Sequence, residues 1–183
     1  MALFFTADTH FGDPSILRHR VGFARLDEHD ATLMTRWNDT IGVDDDVWHL
    51  GDFAAGASPA QCRAIFAGLN GRKRLVQGNH GSNRVLDLPW IEVVSSVSIT
   101  VEEEGRPPRR FFLAHYPHRS WPGVWRGSRH LFGHTHGTLP DNRQSCDVGV
   151  DAWAYRPAAV SDVLARQDAT SNMPEELALR LPS

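Results

Sequence analysis

The sequence of 183 residues contains few cysteines, no long hydrophobic run and no excess of positive charge. Its two cysteines, Cys62 and Cys146, form no CxxC spacing, which argues against a disulfide framework or a zinc knuckle. The apolar opening at residues 1–7 ends at Asp8 and is too short for a signal peptide or a membrane span, so a cytoplasmic protein without a membrane partner is expected. The formal net charge of -3 argues against a protein that grips long nucleic acid.

Length and composition are ordinary for one compact domain. Hydrophobic residues make up 41% of the chain and charged residues 22%, so the chain can bury a core without disulfides. We therefore expect residues 1–183 to form a single domain, with residues 171–183 as a flexible tail. The sequence carries no signal for an oligomeric state.

Apolar runs and helical patterns alternate along the chain, which is typical of an α/β domain. Short buried strands are predicted at residues 3–7, 47–50, 74–77, 130–132 and 148–150. Residues 93–101 alternate between apolar and polar side chains, and a turn at residues 105–108 leads into the apolar run 111–113. That segment predicts a β-hairpin.

Three helices are predicted between and after these strands. Residues 27–41 carry an apolar face with helical spacing, and His29 on this helix is expected to be solvated. A second helix begins after Ser58, which forms a capping box with Gln61. The last helix begins near Ser161.

Residue types that bind metals follow the predicted strands at the points where the strands end. The candidates are Asp8, His10, Asp52, Asn79, His80, His115, His134 and His136. An open sheet binds ligands at the carboxyl ends of its strands, and Asp-x-His or His-x-His spacing in extended backbone points both side chains the same way. The neighbouring Gly51, Gly78 and Gly133 allow sharp turns and keep side chains out of the ions' space. Each motif alone is common in ordinary turns, so the indication of a metal site comes from their joint occurrence.

Five blocks of the sequence together resemble the calcineurin-like metallophosphoesterase superfamily: Asp8-Thr9-His10, Gly51-Asp52, Gly78-Asn79-His80, His115 and Gly133-His134-Thr135-His136. The phrases His115-Tyr116-Pro117 and Asp147-Val148-Gly149-Val150-Asp151 are similar to a small bacterial and phage branch of that superfamily. The resemblance implies an α/β fold of four layers, in which helices flank a β-sandwich.

The resemblance also implies how the ligands divide between two divalent metal ions. One ion would be held by Asp8, His10 and His136. The other would be held by Asn79, His115 and His134, and Asp52 would bridge the two. A carboxylate has two oxygens and can span ions about 3.5–4 Å apart. Nitrogen and oxygen donors without thiolate suit manganese, which we expect first, and also iron, zinc or nickel.

The implied activity is hydrolysis of phosphate mono- or diesters by a hydroxide that the metal ions activate. Asp52 and His80 would be the catalytic residues, with His80 acting as a general acid that gives a proton to the leaving oxygen. Members of the superfamily often have carboxylates that orient the corresponding groups. Here Gly81 and Ala55 stand at those positions, so the sequence does not identify what orients His80.

Other polar residues are candidates for contact with the substrate or for support of the ligands. The substrate candidates are Asn79, His118, Arg119 and Arg18, the last with its neighbours His19 and Arg20. For all of them except Asn79, an ordinary surface position without a functional role is an equally good interpretation. His49 and His130 lie within strands and are expected to pack in the core or to support the metal ligands.

A small phosphate ester is the expected substrate. The alternative is a nuclease or phosphodiesterase that acts on short or single-stranded nucleic acid, for which the arginines near Trp121 leave room. A catalytically inert scaffold of the same fold is less favoured, because such a protein is expected to have lost ligands and none is missing here.

Overall fold

The computed structural model describes residues 1–102, 105 and 107–179. Within these ranges the strands are β1 (Leu3–Thr6), β2 (Asp46–His49), β3 (Arg72–Val76), β4 (Val93–Val94), β5 (Ser96–Val101), β6 (Arg109–Ala114), β7 (Arg129–Phe132), β8 (Ser145–Asp147) and β9 (Ala158–Ala159). The helices are α1 (Leu26–Thr40), α2 (Pro59–Gly68), α3 (Asn83–Leu86), α4 (Val160–Ala169) and α5 (Glu175–Ala178). Short 3-10 turns occupy Pro14–Arg18, Val124–Arg126 and Val150–Trp153. No helix in the described ranges is long and apolar enough to cross a membrane.

The first sheet has the strand order β4-β3-β2-β1-β9. Strands β1 to β4 are parallel, whereas β9 pairs antiparallel with β1. Parallel pairing places the carboxyl ends of β1, β2 and β3 at one edge of the sheet. The strands predicted at residues 3–7, 47–50 and 74–77 are confirmed.

Helices α1 and α2 cover the outer face of the first sheet. Helix α2 begins as predicted, because the Ser58 hydroxyl accepts from the Gln61 N–H at 3.3 Å and the Gln61 side chain accepts from the Ser58 N–H at 2.9 Å. Trp37 of α1 and Phe66 of α2 join the buried cluster that contains Val47 of β2. The predicted helices at residues 27–41 and after Ser58 are therefore confirmed.

The second sheet has the order β5-β6-β7-β8. Strands β5 and β6 form the predicted antiparallel hairpin, and β6, β7 and β8 are parallel to one another. Of the predicted turn at residues 105–108, Arg106 lies outside the described residues, as do the preceding Glu103 and Glu104. The strand predicted at residues 130–132 is confirmed as β7.

The strand predicted at residues 148–150 is wrong. Strand β8 ends at Asp147, and Val150–Trp153 forms a 3-10 turn. The Asp147 Oδ1 atom accepts from the Gly149 N–H at 2.6 Å, and the Val150 N–H donates to the Ala7 carbonyl at 3.0 Å. These bonds turn the chain from the second sheet towards the first, because a side-chain acceptor takes the place of a strand partner.

The two sheets pack face to face around a shared core. Alternation along β1 points Phe5 inward and Phe4 outward, and Phe5 lies in one buried cluster with Phe111 of β6 and Leu131 of β7. The rings of Phe5 and Phe111 are 5.6 Å apart. Burying such side chains stabilises the fold by roughly 1.5–3 kcal/mol each. The chain is thus an α/β protein with two mixed sheets flanked by helices.

The last two helices close the structure at its C-terminal end. Helix α4 buries Val163 and Leu164 against the shared core, as predicted for a helix beginning near Ser161. Helix α5 lies within the segment expected to be a flexible tail, and its Leu177 packs against a cluster that contains Trp121. Residues 180–183 of that segment lie outside the described residues.

Candidate metal centre

The candidate ligands follow five strands whose carboxyl ends meet. Strands β1, β2 and β3 lead to Asp8, His10, Asp52 and Asn79, while β6 and β7 lead to His115, His134 and His136. The His115 ring Nδ1 lies 2.7 Å from the Leu50 carbonyl, so the second sheet contacts the end of β2. Both sheets therefore contribute side chains to one site.

A first group of three side chains gathers Asp8, His10 and His136. One potential ligand atom from each lies within 4.8 Å of the others, and Asp8 and His10 are buried. The rings of His10 and His136 are 5.3 Å apart. The group contains the three residues that the resemblance implied for one metal ion.

A second group gathers Asp52, His115 and His134, again with potential ligand atoms within 4.8 Å of one another. Asn79 belongs to it as well, since its Oδ1 atom lies 2.8 Å from His115 Nε2 and 2.8 Å from His134 Nδ1. The structure thus brings together all seven candidate ligands, in two groups.

Asp52 lies between the two groups. Its Oδ2 atom is 3.7 Å from His10 Nε2 on one side and 3.4 Å from His115 Nε2 on the other. Its Oδ1 atom accepts from the His80 N–H at 2.9 Å. Burial raises the pKa of Asp52, but its interactions with His115 outweigh burial and lower that pKa to about 2. Asp52 is therefore ionised and faces both groups.

The first group contains polar atoms that call for a cation. Asp8 Oδ1 and His10 Nε2 are buried and have no hydrogen-bond partner among the described residues. Burial raises the pKa of Asp8 to about 7 and lowers the pKa of His10 to about 4, so His10 keeps its lone pair at neutral pH. An unpaired buried polar group costs about 1–3 kcal/mol, which a divalent ion would offset. The donor set therefore fits a metal ion.

The backbone at the ligands is left-handed. The φ angle is 56° at Asp8, 49° at His10, 58° at Asp52, 68° at His134 and 50° at His136. The ligands therefore lack the extended backbone that was expected, although Asp8 and His10 still converge on one group. His134 and His136 instead diverge into the two groups, as the ligand assignment requires. Left-handed backbone costs roughly 1–2 kcal/mol per non-glycine residue and is characteristic of functional sites.

Two glycines keep space for the carboxylates. A Cβ atom on Gly78 would lie 2.2 Å from Asp52 Oδ1, and one on Gly133 would lie 2.7 Å from Asp8 Oδ2. Neither contact is sterically allowed. The prediction that glycines beside the ligands keep side chains out of this space agrees with the geometry.

Three exposed rings surround the ligands. His80 lies edge-on to His10 with ring centroids 5.3 Å apart, and no hydrogen bond to its ring is present among the described residues. Tyr116 is 49% exposed and packs against His134 at 4.4 Å, while His19 stacks on His136 at 6.1 Å. The sequence reasoning gave Tyr116 no role, although its place directly after His115 was a signal.

Two further carboxylates support the ligands. Asp147 Oδ2 accepts from the Thr135 hydroxyl at 2.6 Å and from the Gly137 N–H at 2.9 Å, which fixes the loop that carries His134 and His136. Asp151 Oδ2 lies 2.7 Å from His136 Nδ1. The hydrogen bond with Asp151 raises the pKa of His136 despite burial. Both aspartates stood in a phrase that resembled the family, but the sequence assigned neither a role.

Three histidines outside the ligand set are buried: His29, His49 and His130. The Nε2 atom of His49 lies 3.0 Å from the hydroxyl of Thr9. Because Thr9 stands between the ligands Asp8 and His10 in the sequence, this contact agrees with a supporting role for His49. His130 is buried between Phe112 and Trp121 in the second sheet. The expectation that His29 is solvated is wrong, because the exposed fraction of this residue is 0%.

Three of the predicted substrate contacts, Arg18, His118 and Arg119, do not gather at the ligands. Arg18 is exposed at the end of its 3-10 turn. His118 packs edge-on against Phe112 on the outer side of the second sheet, and Arg119 is paired with Glu175. Across the part of the chain that the structure describes, no hydrogen bond or ring contact joins these three residues to a candidate ligand. They remain predictions without geometric support.

The fold and the site define an α/β protein with groups of histidine and aspartate side chains that could bind metal ions. No protein-family model matches the chain. The gene 66 protein of Mycobacterium phage D29 is 31% identical over 178 residues, which cover 82% of this chain and 88% of that protein. The chain therefore belongs to the family of that phage gene 66 protein.

Two further relatives and one solved structure are similar to the chain. The gene 66 protein of Mycobacterium phage L5 is 28% identical over 178 residues, or 81% of this chain and 86% of that protein. The uncharacterized protein MJ1445 of Methanocaldococcus jannaschii is 25% identical over 167 residues, or 86% of each chain. The crystal structure of the protein of unknown function AQ665 from Aquifex aeolicus matches with a TM-score of 0.67 and 22% identity, covering 88% of this chain and 97% of that one. That likeness concerns the fold alone.

Proposed function

We propose that this protein is a metal-dependent phosphoric ester hydrolase with the four-layer fold and dinuclear centre of the calcineurin-like superfamily. The observation that carries the proposal is the position of Asp52, whose Oδ2 atom faces His10 of one ligand group and His115 of the other. A bridging carboxylate between two groups of nitrogen and oxygen donors is the arrangement that two-metal hydrolases require.

The chain's own residues would hold two divalent ions, manganese first and iron, zinc or nickel as alternatives. When bound, such ions lower the pKa of a water molecule and attract the phosphoryl group. Asp52 is ionised and His10 neutral at pH 7, so both present lone pairs without first losing a proton. The His115 Nδ1 atom faces the Leu50 carbonyl, which leaves Nε2 turned towards Asp52 and Asn79.

His80 is the proposed proton donor to the leaving oxygen. Its backbone is held by Asp52, and its ring is exposed next to His10, so a substrate at the metal groups would meet it. Gly81 and Ala55 supply no carboxylate that could orient the His80 ring. Among the described residues, edge-on packing against His10 restricts the orientation of the ring. Tyr116 and His19, exposed over the ligands His134 and His136, are the further surfaces that a small phosphate ester would touch.

A second candidate substrate is short, single-stranded nucleic acid. Arg110 and Arg126 line two neighbouring cavities of about 350 and 440 Å³ on the second sheet. Arg110 alternates with the inward-facing Phe111 and therefore lies on the outer face of β6, five residues before His115. At 3.3 Å per residue Arg110 lies about 17 Å along the chain from His115, a distance that a strand of a few nucleotides can span.

A metal analysis combined with a substrate screen tests the proposal. Purified protein is expected to retain divalent ions and, after reloading with Mn²⁺, to hydrolyse aryl phosphate mono- or diesters. Chelation with EDTA should remove the activity, and Mn²⁺ should restore it. A protein that binds no divalent ion at micromolar concentrations, or that binds ions but hydrolyses no phosphate ester, would contradict the proposal.

A further inference from the structure

Arg20 is a buried cation beside the first ligand group. Its side chain has 0% exposure, although the guanidinium carries a full charge at any physiological pH. A charge buried in this way is expensive unless it is paired and fully hydrogen-bonded. The surroundings of Arg20 are therefore built to hold it.

The guanidinium joins the segment that carries Asp8 and His10 to Asp151. Its Nε and Nη2 atoms donate to Asp151 Oδ1 and Oδ2 at 2.8 and 2.7 Å, a bidentate pair. Its Nη2 atom also donates to the Asp8 carbonyl at 2.5 Å, and Nη1 donates to the Thr9 carbonyl at 3.2 Å. These carbonyls lie within the segment in which Asp8 and His10 have left-handed backbone.

Asp151 passes this restraint on to His136. The same Oδ2 atom that pairs with Arg20 lies 2.7 Å from His136 Nδ1. A carboxylate can only accept, so the proton of the neutral imidazole stays on Nδ1 and Nε2 presents its lone pair to the group. Arg20 and Asp151 thereby fix both the backbone of Asp8 and the ring of His136.

A buried histidine completes the network. His29 Nε2 lies 2.7 Å from Arg20 Nη1, and His29 Nδ1 lies 2.7 Å from Asp30 Oδ1. The Asp30 Oδ2 atom accepts from the Gly12 N–H at 3.0 Å, two residues after His10. Helix α1 is in this way connected to both ends of residues 8–12, the segment that carries Asp8 and His10.

We propose that Arg20 and Asp151 are positioning residues that set the metal affinity of the Asp8, His10 and His136 group and affect the Asp52, His115 and His134 group less. The inference rests on the proposed function, because it concerns the same metal centre. The selectivity follows from the contacts: within the described ranges no hydrogen bond joins Arg20 or Asp151 to the side chains of the second group. The two ions should therefore respond differently to one substitution.

Calorimetric titration of the metal-free full chain with Mn²⁺ alone tests the proposal. His10→Ala and His134→Ala identify which binding event belongs to which group. Asp151→Asn should weaken the event of the first group by about 10- to 100-fold, because the amide can donate to His136 and favour the wrong tautomer. The event of the second group should lose less affinity than that of the first, because neither residue bonds to its side chains.

One control variant and one second test variant separate positioning from the general loss of an ion pair. Asp46→Asn removes the carboxylate that pairs with Arg74 at 2.6 Å, at the amino end of β2, and should change neither event. Arg20→Lys keeps the charge but loses the bidentate geometry, and should reproduce the selective loss. If Arg20→Lys fails to fold by circular dichroism, Asp151→Asn, which keeps an acceptor for Arg20, decides alone.

The outcomes distinguish this inference from the proposed function. Equal weakening of both events in Asp151→Asn, or no weakening of either, overturns the positioning role and leaves the phosphoesterase proposal intact. Selective weakening in Asp151→Asn, combined with a wild-type protein that hydrolyses no phosphate ester, supports the positioning role and contradicts the proposed function. A wild-type chain that binds no Mn²⁺ overturns both.

Discussion

The backbone N–H of His134 donates to the Oδ2 atom of Asp8 at 2.8 Å. Asp8 follows β1 of the first sheet and belongs to the first ligand group, whereas His134 follows β7 of the second sheet and belongs to the second group. One hydrogen bond therefore joins both sheets and both groups. The carboxylate of Asp8 holds the loop that carries His134 while its Oδ1 atom stays unpaired within the described structure.

Substitution of His80 separates proton transfer from metal binding. His80 is a neighbour of the ligands but not a member of either group, so His80→Ala should leave the metal content unchanged. Loss of a general acid should lower kcat by about 10²- to 10⁴-fold, most for substrates with poor leaving groups. Steady-state kinetics on aryl phosphodiesters of graded leaving-group pKa measure this, with His118→Ala on the outer face as the control. Loss of metal from His80→Ala would show that His80 is a ligand.

A methyl group at Gly78 should disturb the bridging carboxylate. The added Cβ would meet Asp52 Oδ1 at 2.2 Å, so Gly78→Ala should lower both the metal content and the free energy of unfolding, the latter by about 1–3 kcal/mol. Gly22→Ala is the matched control, because nothing lies within 4 Å of a Cβ there. Urea unfolding and metal analysis of both variants give the comparison. An unchanged metal content in Gly78→Ala would show that metal binding does not depend on the observed position of the Asp52 carboxylate.

Burial of His130 predicts a pH dependence of stability. Burial lowers its pKa from 6.5 to about 4. Between these pH values the unfolded chain binds a proton that the folded chain does not, so the free energy of unfolding falls as the pH drops from 6.5 to 4. The loss is about 1.4 kcal/mol per pH unit and about 3 kcal/mol in total.

His130→Gln removes this contribution, because glutamine does not titrate. Urea unfolding in EDTA at pH 7 and pH 4.5 should show a smaller drop for this variant than for wild type, and Arg63→Gln, on the exposed face of α2, should behave like wild type. His10 and His49, whose pKa values burial also lowers, act in all three proteins and cancel in the comparison. An identical drop in His130→Gln and wild type would show that His130 is not held neutral.

Binding of a short oligonucleotide discriminates between the two candidate substrates. If Arg110 and Arg126 contact phosphates, replacing each by glutamine should weaken binding of a single-stranded oligonucleotide and reduce the slope of log K against log salt by about 0.7 per lost contact. Arg63→Gln, on the exposed face of α2, should change nothing. A slope that is flat in wild type, or equal in all proteins, leaves the small phosphate ester as the substrate.

Most of the ligand set could be predicted from sequence because it depends on local features. A strand that ends in Asp or His, with a glycine beside it, is visible in a few consecutive residues, and Asp8, Asp52 and His115 all follow predicted strands. The placement of His134 and His136 in separate groups agrees with the resemblance, whereas the argument from extended backbone had them converge. Left-handed backbone at these residues depends on bonds such as that from the His10 N–H to the Asp52 carbonyl, 2.9 Å long, which no local pattern contains.

The supporting network could not be predicted for the same reason. His29 was expected to be solvated because it lies on a surface helix, whereas its ring bonds to Arg20 and Asp30 and is buried. Asp151 is 131 residues from Arg20 in the chain. Strand β8 also ends before the apolar run that seemed to define it, because Asp147 bonds to the next turn rather than continuing the sheet.

The central claim is that Asp52 bridges two metal groups, and the metal content of Asp52→Asn tests it most directly. Wild type reloaded with Mn²⁺ is predicted to hold two ions per chain, and Asp44→Asn, an exposed aspartate, should match it. Asp52→Asn is predicted to lose bound metal and the hydrolysis of aryl phosphodiesters, because the amide is neutral and must turn its NH2 group either towards the two groups or against the His80 N–H. An Asp52→Asn protein with both ions and full activity would contradict the account.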